Sequence, residues 1–365
     1  MRGASAAMHG GPARPRGASL SATVRPRGRV RNIDDTYGSD RDGLIWGYRF
    51  SPGQSARSIA TADVPGFLAE AGSAGEFLWL HFALSNTGSE RFLQRAVPLP
   101  ESFHDLLRSE VGSTRLEFED GQLLAVIHDV LFESSFDASE VGTSTLAIGP
   151  RLLVSVRLRP LRSIERLRAA VRGGQDFRST VELLAHLLRD QAEVLGDIVR
   201  RSGQQVDRVE DRMLAQHATG DRQDLGALRR SLVRLQRLLA PEPTAMFRVL
   251  NRPLPWIGRE DVRDLQQAAD EFSTALADSA ALVERIRLVQ EEMGAMLNER
   301  TGRTLFLLTV VTVLALPINL VAGLFGMNVG GMPLAHGAHG FAAVVTALVL
   351  LTGILAWLAF GRRRD

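Results

Sequence analysis

The chain has 365 residues, a length that allows about two domains, and 45% of its residues are hydrophobic. It contains no cysteine, which excludes disulfides, thiolate metal sites and cysteine nucleophiles. The net charge of +2 is too small to indicate nucleic-acid binding, and all 43 basic residues are Arg, a bias that a GC-rich genome also produces.

Residues 1–42 are predicted to form a disordered basic tail. Residues 1–31 hold seven Arg among Gly, Ala, Ser and Pro, and they lack the apolar run of a secretory signal peptide. We expect this tail to contact anionic lipid, unless the start codon has been assigned too far upstream.

Residues 43–161 are predicted to form an α/β domain with a mixed or antiparallel sheet. Its strands are short runs rich in aliphatic and aromatic residues, namely Leu44–Phe50, Phe77–Phe82, Arg115–Glu119, Leu123–Glu133, Thr143–Ile148 and Leu152–Leu158. Asp120-Gly121 and Gly149-Pro150 lie between consecutive strands and indicate two hairpins. Helices are expected over Val64–Ala71 and Pro100–Ser109.

Residues 162–258 change to the pattern of long amphipathic helices, with apolar residues three and four positions apart. Two helices are predicted there, over Thr180–Gln216 and Asp224–Leu250. Proline breaks or bounds the second of them at positions 241, 243, 253 and 255.

One helix is predicted from Arg259 to Phe325, with a length of about 100 Å at the usual helical rise. A globular domain does not need a helix of this length, whereas a stalk that enters a membrane does. Residues 259–303 are therefore predicted to form a stalk helix, and its apolar stripe favours an oligomer.

Two uncharged runs, Thr304–Phe325 and Phe341–Phe360, are each long enough to cross a bilayer as a helix. Two buried core helices are the alternative for such runs. Arginines flank the pair of runs, while the connecting loop 326–340 carries no charge, so the positive-inside rule places that loop outside. Both termini, including the basic tail 361–365, are then cytoplasmic, and we expect a multi-pass protein of the bacterial inner membrane.

Within the first run, one stripe combines polar and small side chains with leucines. It follows helical steps of three and four residues through Leu305, Leu308, Thr312, Leu316, Asn319 and Gly323. An Asn in hydrocarbon needs a partner or water, so the stripe either lines a pore or holds helices together. Periodicity alone leaves both interpretations open.

Gly326-Met327-Asn328 follows this run, and these residues resemble the Gly-Met-Asn signature of the CorA family of divalent-cation transporters. The signature lies where that family has it, at the outer end of the first of two C-terminal spans. The resemblance covers about residues 43–365 and implies a CorA-like funnel, a homopentamer whose pore the first span lines. It also places Asn328 in a selectivity filter, where amide and carbonyl oxygens bind a hydrated cation, and it makes the leucines of the stripe apolar constrictions.

Two further features resemble the ZntB-like zinc branch of that family. The loop after the signature reads Gly330-Gly331-Met332-Pro333 and has no carboxylate, where magnesium-type members commonly have an acid. The segment Phe77–Leu93 (FLWLHFALSNTGSERFL) is also similar to that branch, although Met327 is the commoner residue in CorA proteins. The resemblance thus implies zinc as the transported ion, with a magnesium, cobalt or nickel channel as the alternative.

Three more side chains are candidate ion contacts outside the filter. His336 and His339 lie in the outer loop, where imidazole rings would suit zinc, unless both are plain polar residues of a Gly-rich loop. Glu291 lies about three turns below the membrane. The acidic residues before it in the stalk either face solvent or form stacked rings in an oligomer. They are Asp264, Glu271, Asp278 and Glu284.

No enzyme motif accompanies these features. His128-Asp129 resembles a metal-hydrolase dipeptide, but it lies in an apolar run without a second His-Asp pair, and the sequence has no phosphate-binding loop or nucleophile elbow. A membrane-anchored coiled-coil scaffold is the alternative from another class. We expect no cofactor and no nucleic-acid partner; the expected partners are membrane lipid, divalent cations and other copies of the chain.

Overall fold

The computed structural model describes residues 38–70, 75–109, 114–132, 140–215, 221–327 and 339–361. The predicted basic tail up to residue 37 and the C-terminal arginines lie outside these ranges. Residues from Ser39 onward belong to one compact unit, and every element named below lies in it.

In the described residues, seven strands form one sheet. They are β1 (Leu44–Ser51), β2 (Gln54–Ile59), β3 (Phe77–Ala83), β4 (Arg115–Glu119), β5 (Gln122–Val130), β6 (Val141–Ile148) and β7 (Leu152–Arg157). Their order across the sheet is β2-β1-β3-β7-β6-β5-β4. β3 pairs with β7 in parallel and every other neighbouring pair is antiparallel, so the mixed form of the predicted α/β sheet is confirmed.

All six predicted strands and both predicted hairpins are present. In the turn between β4 and β5, Asp120 and Gly121 have φ values of 48° and 75°, a conformation that the Asp-Gly pair tolerates. The prediction missed β2, because its residues Gln-Ser-Ala-Arg-Ser-Ile form an exposed edge strand without an apolar pattern.

Three short helices contribute to the apolar core on one face of the sheet: α1 (Val64–Ala69), α2 (Thr87–Ala96) and α3 (Glu101–Arg108). α1 and α3 confirm the predicted helices. The sequence analysis missed α2, although the Asn86 side chain caps it by accepting a hydrogen bond from the Gly88 N–H. Alternate side chains of β3, namely Leu78, Leu80 and Phe82, are buried on this face.

The opposite face packs against three longer helices: α4 (Arg162–Arg172), α5 (Thr180–Leu214) and the first part of α8 (Arg259–Phe325). Phe77 and Trp79 of β3 are each 1% exposed in this core. Burying a side chain as large as Phe77 stabilises the fold by about 1.5–3 kcal/mol. α5 begins where Ser179 accepts a hydrogen bond from the Glu182 N–H, which confirms the first predicted amphipathic helix.

The second predicted amphipathic helix is divided into α6 (Asp221–Leu239) and α7 (Pro241–Leu250). Proline fits the first turn of a helix but not its interior, so the chain ends one helix before Pro241 and starts another there. α5, α6 and α8 share a second apolar core, which includes Val206, Met213, Leu225, Leu232, Ile286 and Met293.

α8 is one continuous helix of 67 residues, as the sequence predicts. α9 (Gly340–Gly361) follows it, and both helices contain a stretch long and apolar enough to cross a membrane. The upper part of α8 exposes several leucines, among them Leu307 and Leu320. Apolar surface of this extent is typical of helices that contact lipid or other subunits.

Candidate ion pathway

The upper part of α8 has one face that is less exposed than the rest. Apart from Ala315, the less exposed residues recur every three or four positions, at Phe306, Val310, Leu314, Pro317 and Val321. α9 carries a matching row, formed by Val344, Leu348, Thr352 and Leu355. Because α9 packs against α8, we infer that these two rows form the contact between the helices.

The predicted pore stripe lies on the other side of α8. Leu305, Leu308 and Leu316 are 58%, 58% and 63% exposed. Thr312, Asn319 and Gly323 are exposed as well. At about 100° per residue, the stripe lies about half a turn away from the row that faces α9. α8 can therefore present all six residues to a pore while α9 stays behind it.

Polar atoms on this stripe are available to a cation or to water. The Thr312 hydroxyl donates a 2.8 Å hydrogen bond to the Leu308 carbonyl, so its oxygen lone pairs remain free to accept. Within the described ranges, the Asn319 amide makes no hydrogen bond. An amide in a bilayer needs a polar partner, so Asn319 requires water, an ion or another copy of the chain.

α8 ends at Phe325, and Gly326, the first residue of the predicted filter, is its C-cap. Gly326 has a φ of −78°, a conformation that other residues also adopt, so the end of the helix does not require glycine for a left-handed turn. A Cβ at Gly326 would lie 3.1 Å from the Ala322 carbonyl oxygen, which is a tight contact. Met327 is exposed beyond it, and Asn328 lies outside the described residues.

The remaining loop residues of the predicted site are only partly described. Gly330-Gly331-Met332-Pro333 and His336 lie outside the described ranges. His339 is exposed in the turn before α9, and its carbonyl accepts a hydrogen bond from the Ala343 N–H at 3.0 Å. Among the described residues, no group of three His, Asp or Glu side chains forms a metal site. A metal ion would need donors from other copies or from residues outside those ranges.

Glu291, the candidate internal ion contact, is an ion-paired carboxylate in this structure. Its Oε1 lies 2.9 Å from Nε of Arg287, one helical turn earlier on α8. Arg287 also contacts Glu284 at 3.5 Å. The hydrogen bond from Arg287 to Glu291 raises the pKa of the guanidinium. A cation that binds Glu291 must therefore compete with Arg287.

The acidic residues of the stalk do not form one row. Asp264 and Glu291 are 27 residues apart, about seven and a half turns, so they lie on opposite sides of α8. Asp264 also pairs with Arg178 in the loop before α5. Steps of seven residues from Glu291 lead through Asn298 to Leu305, so Glu291 shares the side of the pore stripe. The acidic residues therefore form two groups on opposite sides of α8, one of Asp264, Glu271 and Asp278 and one of Glu284 and Glu291.

Sequence analysis missed a buried carboxyl cluster where β5 meets α4, α5 and α7. The Asp129 carboxylate accepts hydrogen bonds from the Ser163 N–H at 2.7 Å and the Ser163 hydroxyl at 2.9 Å. Burial raises the pKa of Asp129 and that of Asp190 to about 7. Glu242 accepts a hydrogen bond from the His128 N–H, and burial raises its pKa too. The polar pair His128-Asp129 within an apolar run was the feature of the sequence that could have indicated this cluster.

A second buried polar group joins the parallel strands β3 and β7. Nε2 of His81 accepts a hydrogen bond from Nε of Arg157 at 2.8 Å, and its Nδ1 lies 2.7 Å from the Ser155 hydroxyl oxygen. The His81 ring also stacks on Trp46, with ring centroids 4.1 Å apart. Burial and then the Arg157 charge lower the pKa of His81 well below its usual value, so the ring is neutral at physiological pH.

Comparisons with known proteins agree on one family. The family described as CorA-like Mg2+ transporter protein matches residues 74–363. The divalent cation transporter CmaX of Pseudomonas aeruginosa is 29% identical over 334 residues, which cover 89% of this chain and 97% of that protein. The zinc transport protein ZntB of Pectobacterium carotovorum is 24% identical over 280 residues, which cover 76% of this chain and 85% of that protein.

Solved structures share the architecture. The structure of full-length CmaX has a TM-score of 0.76 and 26% identity, covering 90% of this chain and 99% of that one. The complete structure of the CorA magnesium transporter from Methanocaldococcus jannaschii has a TM-score of 0.68 and 19% identity, covering 86% and 96%. At 19% identity, the similarity to the Methanocaldococcus jannaschii structure shows only the fold. This fold is an α/β domain followed by a long helix and two C-terminal apolar helices.

Proposed function

The chain belongs to the CorA-like Mg2+ transporter family, and we propose that it carries zinc through a pore lined by α8. Divalent-cation transport is the activity of the family, so the chain is a transporter and not an enzyme. The observation that carries the pore assignment is the exposed stripe from Leu305 to Gly323, which faces away from α9 and leads to Gly326-Met327.

In a ring of identical chains, each member of the stripe is repeated around one axis. Leu305, Leu308 and Leu316 then form apolar constrictions that close the pore by excluding water. Thr312 and Asn319 supply oxygen atoms between these constrictions. At the outer end, Gly326, Met327 and Asn328 form the selectivity filter, whose carbonyl and amide oxygens bind the hydration shell of the ion. We propose a homopentamer, following the family resemblance.

Zinc is proposed as the ion on the basis of the outer loop. Gly330-Gly331-Met332-Pro333 resembles the zinc branch and lacks the acid common in magnesium-type loops. His336 and His339 add imidazole groups, which suit zinc better than magnesium. The ZntB relative is a zinc transport protein, whereas the CmaX relative is described as a divalent cation transporter. Magnesium, cobalt or nickel transport is the alternative within the same fold.

The proposed topology places the functional parts as follows. The α/β domain (43–161), the helical region (162–258) and the stalk (259–303) lie in the cytoplasm, followed by the pore helix (304–325), the external loop (326–340), the second span (341–360) and a cytoplasmic tail (361–365). Arg300 and Arg303 before the first span, and an uncharged external loop, support this orientation in the bacterial inner membrane.

Reconstitution into liposomes tests the proposal. Zinc flux and magnesium flux are measured side by side, with and without a pH gradient, for the wild type, for Asn328→Ala and for the control Asn251→Ala in the cytoplasmic part. We expect zinc flux in the wild type and in Asn251→Ala, and its loss in Asn328→Ala, because the filter loses its amide oxygens.

The outcomes separate the alternatives. Strong magnesium flux that zinc does not affect would reject the zinc assignment and favour the magnesium, cobalt or nickel channel. Absence of flux for every ion, in a protein that inserts and assembles, would favour the membrane-anchored scaffold. Equal zinc flux in Asn328→Ala and the wild type would show that Asn328 is not part of the selectivity filter.

A further inference from the structure

Residues Leu297–Leu305 of α8 are exposed on every side within the described part of the chain. Below this segment, Met293 is buried in the core that α8 shares with α5 and α6. Above it, Phe306 is half-buried on the face toward α9. The segment, called the neck below, is about 13 Å long at the helical rise. It connects the cytoplasmic bundle to the proposed membrane span.

Two arginines project from the neck. Neither Arg300 nor Arg303 makes a side-chain hydrogen bond or ion pair with another described residue. Glu299 lies four residues before Arg303 but forms no ion pair with it. Side chains three residues apart on a helix have Cβ atoms about 5–6 Å apart, so both guanidinium groups can reach one doubly charged or two adjacent anionic groups.

Both arginines point away from the pore side of α8. Residues two positions apart on a helix lie about 200° apart around its axis. Arg303 precedes Leu305 by two positions, and Arg300 follows Asn298 by two positions. Each arginine therefore lies nearly opposite a residue of the pore side. Arg300 follows Met293 by seven residues and continues the side that α5 and α6 cover lower down. Arg303 lies three residues before Phe306, on the side that α9 covers higher up, and Arg300 lies on the side of α5 and α6, so neither arginine faces the axis of the proposed pore.

The height of the arginines matches the lipid headgroups. The apolar run begins at Thr304, so Arg303 and Arg300 lie about 2 and 6 Å below it along the helix axis. The headgroup layer on each side of a bilayer is about 5–7 Å thick. A guanidinium matches the geometry of phosphate oxygens and donates two parallel hydrogen bonds to them.

We propose that the neck is a binding site for the phosphate groups of anionic phospholipids, with Arg300 and Arg303 as the groups that hold them. The proposal rests on the membrane orientation given above. Bound headgroups occupy the space between the bilayer and the ends of α5 and α6. They therefore hold α8 at a fixed depth in the membrane. Anionic lipid should then stabilise the assembled transporter, and zwitterionic lipid of the same chain length should not.

The test measures lipid binding by the full-length protein in detergent, through the shift of its unfolding temperature. The probes are short-chain phosphatidylglycerol, phosphatidylcholine of the same chain length, and inorganic phosphate. The variants are Arg300→Gln/Arg303→Gln and the control Arg263→Gln, which removes an exposed arginine from the same helix about 60 Å below the membrane. Circular dichroism and size-exclusion chromatography verify folding and oligomeric state.

We expect phosphatidylglycerol alone to stabilise the wild type and Arg263→Gln. The double variant should need about 30-fold more of it, since each arginine near an anionic surface contributes about a factor of five. Equal stabilisation by phosphatidylcholine, or an equal response of the double variant, overturns the proposal. Equal stabilisation by inorganic phosphate would show that the ligand is free phosphate and not a lipid. If the double variant dissociates with its lipid response intact, the neck is a contact between copies and the proposal is wrong.

Ion flux tests the transport proposal separately from the lipid site. If no ion crosses the membrane but phosphatidylglycerol still binds through Arg300 and Arg303, the transport proposal fails while the lipid site stands. If zinc crosses and the lipid response does not depend on these arginines, the transport proposal stands while the lipid site fails.

Discussion

The backbone N–H of His128 donates a 2.6 Å hydrogen bond to Oε1 of Glu242, and this bond joins the end of β5 to the first turn of α7. Gln191 of α5 donates to the His128 carbonyl at 2.6 Å, so one strand and two helices meet around a carboxyl group that is 1% exposed. Burial raises the pKa of Glu242, and the hydrogen bonds from His128 only partly oppose this shift. The cluster therefore makes the α/β domain and the helices packed on it sensitive to pH.

Replacing Glu242 with Gln should make the protein more stable at neutral pH. The folded-state pKa of Glu242 lies above the unfolded value of 4.5, so stability is present at low pH and is lost as pH rises through the folded pKa. Gln keeps an acceptor oxygen for the His128 N–H and does not ionise. We therefore expect a gain in the free energy of unfolding at neutral pH that becomes smaller as the pH falls toward 4.5. Unfolding in urea over a series of pH values measures it.

The exposed Glu292→Gln is the matched control, because it removes one carboxylate that lies outside the buried cluster. Burial also raises the pKa of Asp129 and that of Asp190, to about 7, so the quantity to compare is the difference between each variant and the wild type. A difference between Glu242→Gln and the wild type that is constant with pH would show that the pKa of Glu242 is the same in the folded and the unfolded protein, which contradicts the prediction.

Replacing His81 with Phe should destabilise the sheet. Phe can still stack on Trp46, but it leaves Nε of the buried Arg157 without its acceptor. An unsatisfied buried donor costs about 1–3 kcal/mol, more for a charged group. The pKa of His81 is lowered in the folded state, so the wild type should also lose stability as pH falls below about 6.5, and the variant should lack that loss. Urea unfolding checks both effects, and an unchanged unfolding free energy at neutral pH would contradict them.

Local patterns account for most of the fold. Asp120-Gly121 marks a hairpin because its chemistry fits the turn, and the apolar periodicity of α8 predicts its full length. The same periodicity places Leu305 and Asn319 on one face, and the four-residue spacing of Arg287 and Glu291 already suggests their ion pair. These features depend on residues that are close in sequence.

Long-range contacts could not be predicted in the same way. Glu242 lies 114 residues from His128, and Ser163 lies 34 residues from Asp129, so no local pattern indicates that they touch. α2 was missed although Asn86 is a standard helix-capping residue, because the segment has few apolar positions to show a helical period.

Replacing Thr312 with Val should lower zinc flux. Val has nearly the same shape but lacks the oxygen that the stripe presents between Leu308 and Leu316. Loss of one hydrogen-bond acceptor for the hydrated ion costs about 0.5–1.5 kcal/mol, which corresponds to roughly a twofold to tenfold lower rate. Thr346→Val on α9 is the matched control, because its hydroxyl also donates at 2.8 Å to the carbonyl four residues before. Equal flux in both variants would mean that the stripe does not line the pore.

Replacing Glu291 with Gln should lower zinc flux at low ion concentration without changing stability. The pair with Arg287 is exposed and screened by solvent, so it contributes little to folding. A carboxylate on the pore side raises the local cation concentration, and this effect weakens beyond about 8 Å at physiological salt. The deficit should therefore shrink at high salt. Glu292→Gln, one residue on and about 100° around the helix, is the control; the same deficit in both variants would exclude a specific contact at Glu291.

Replacing His336 and His339 together with Ala should weaken zinc capture at the outer mouth. If several copies place these imidazoles around one axis, their loss removes neutral nitrogen ligands that zinc prefers and magnesium does not. We expect the half-saturating zinc concentration to rise on the order of tenfold, the lower end of what removing a supporting group costs a metal site, while magnesium flux stays constant. His104→Ala in α3 is the control. Zinc saturation that is identical in the double variant and the wild type would leave the two histidines as ordinary polar residues of the loop.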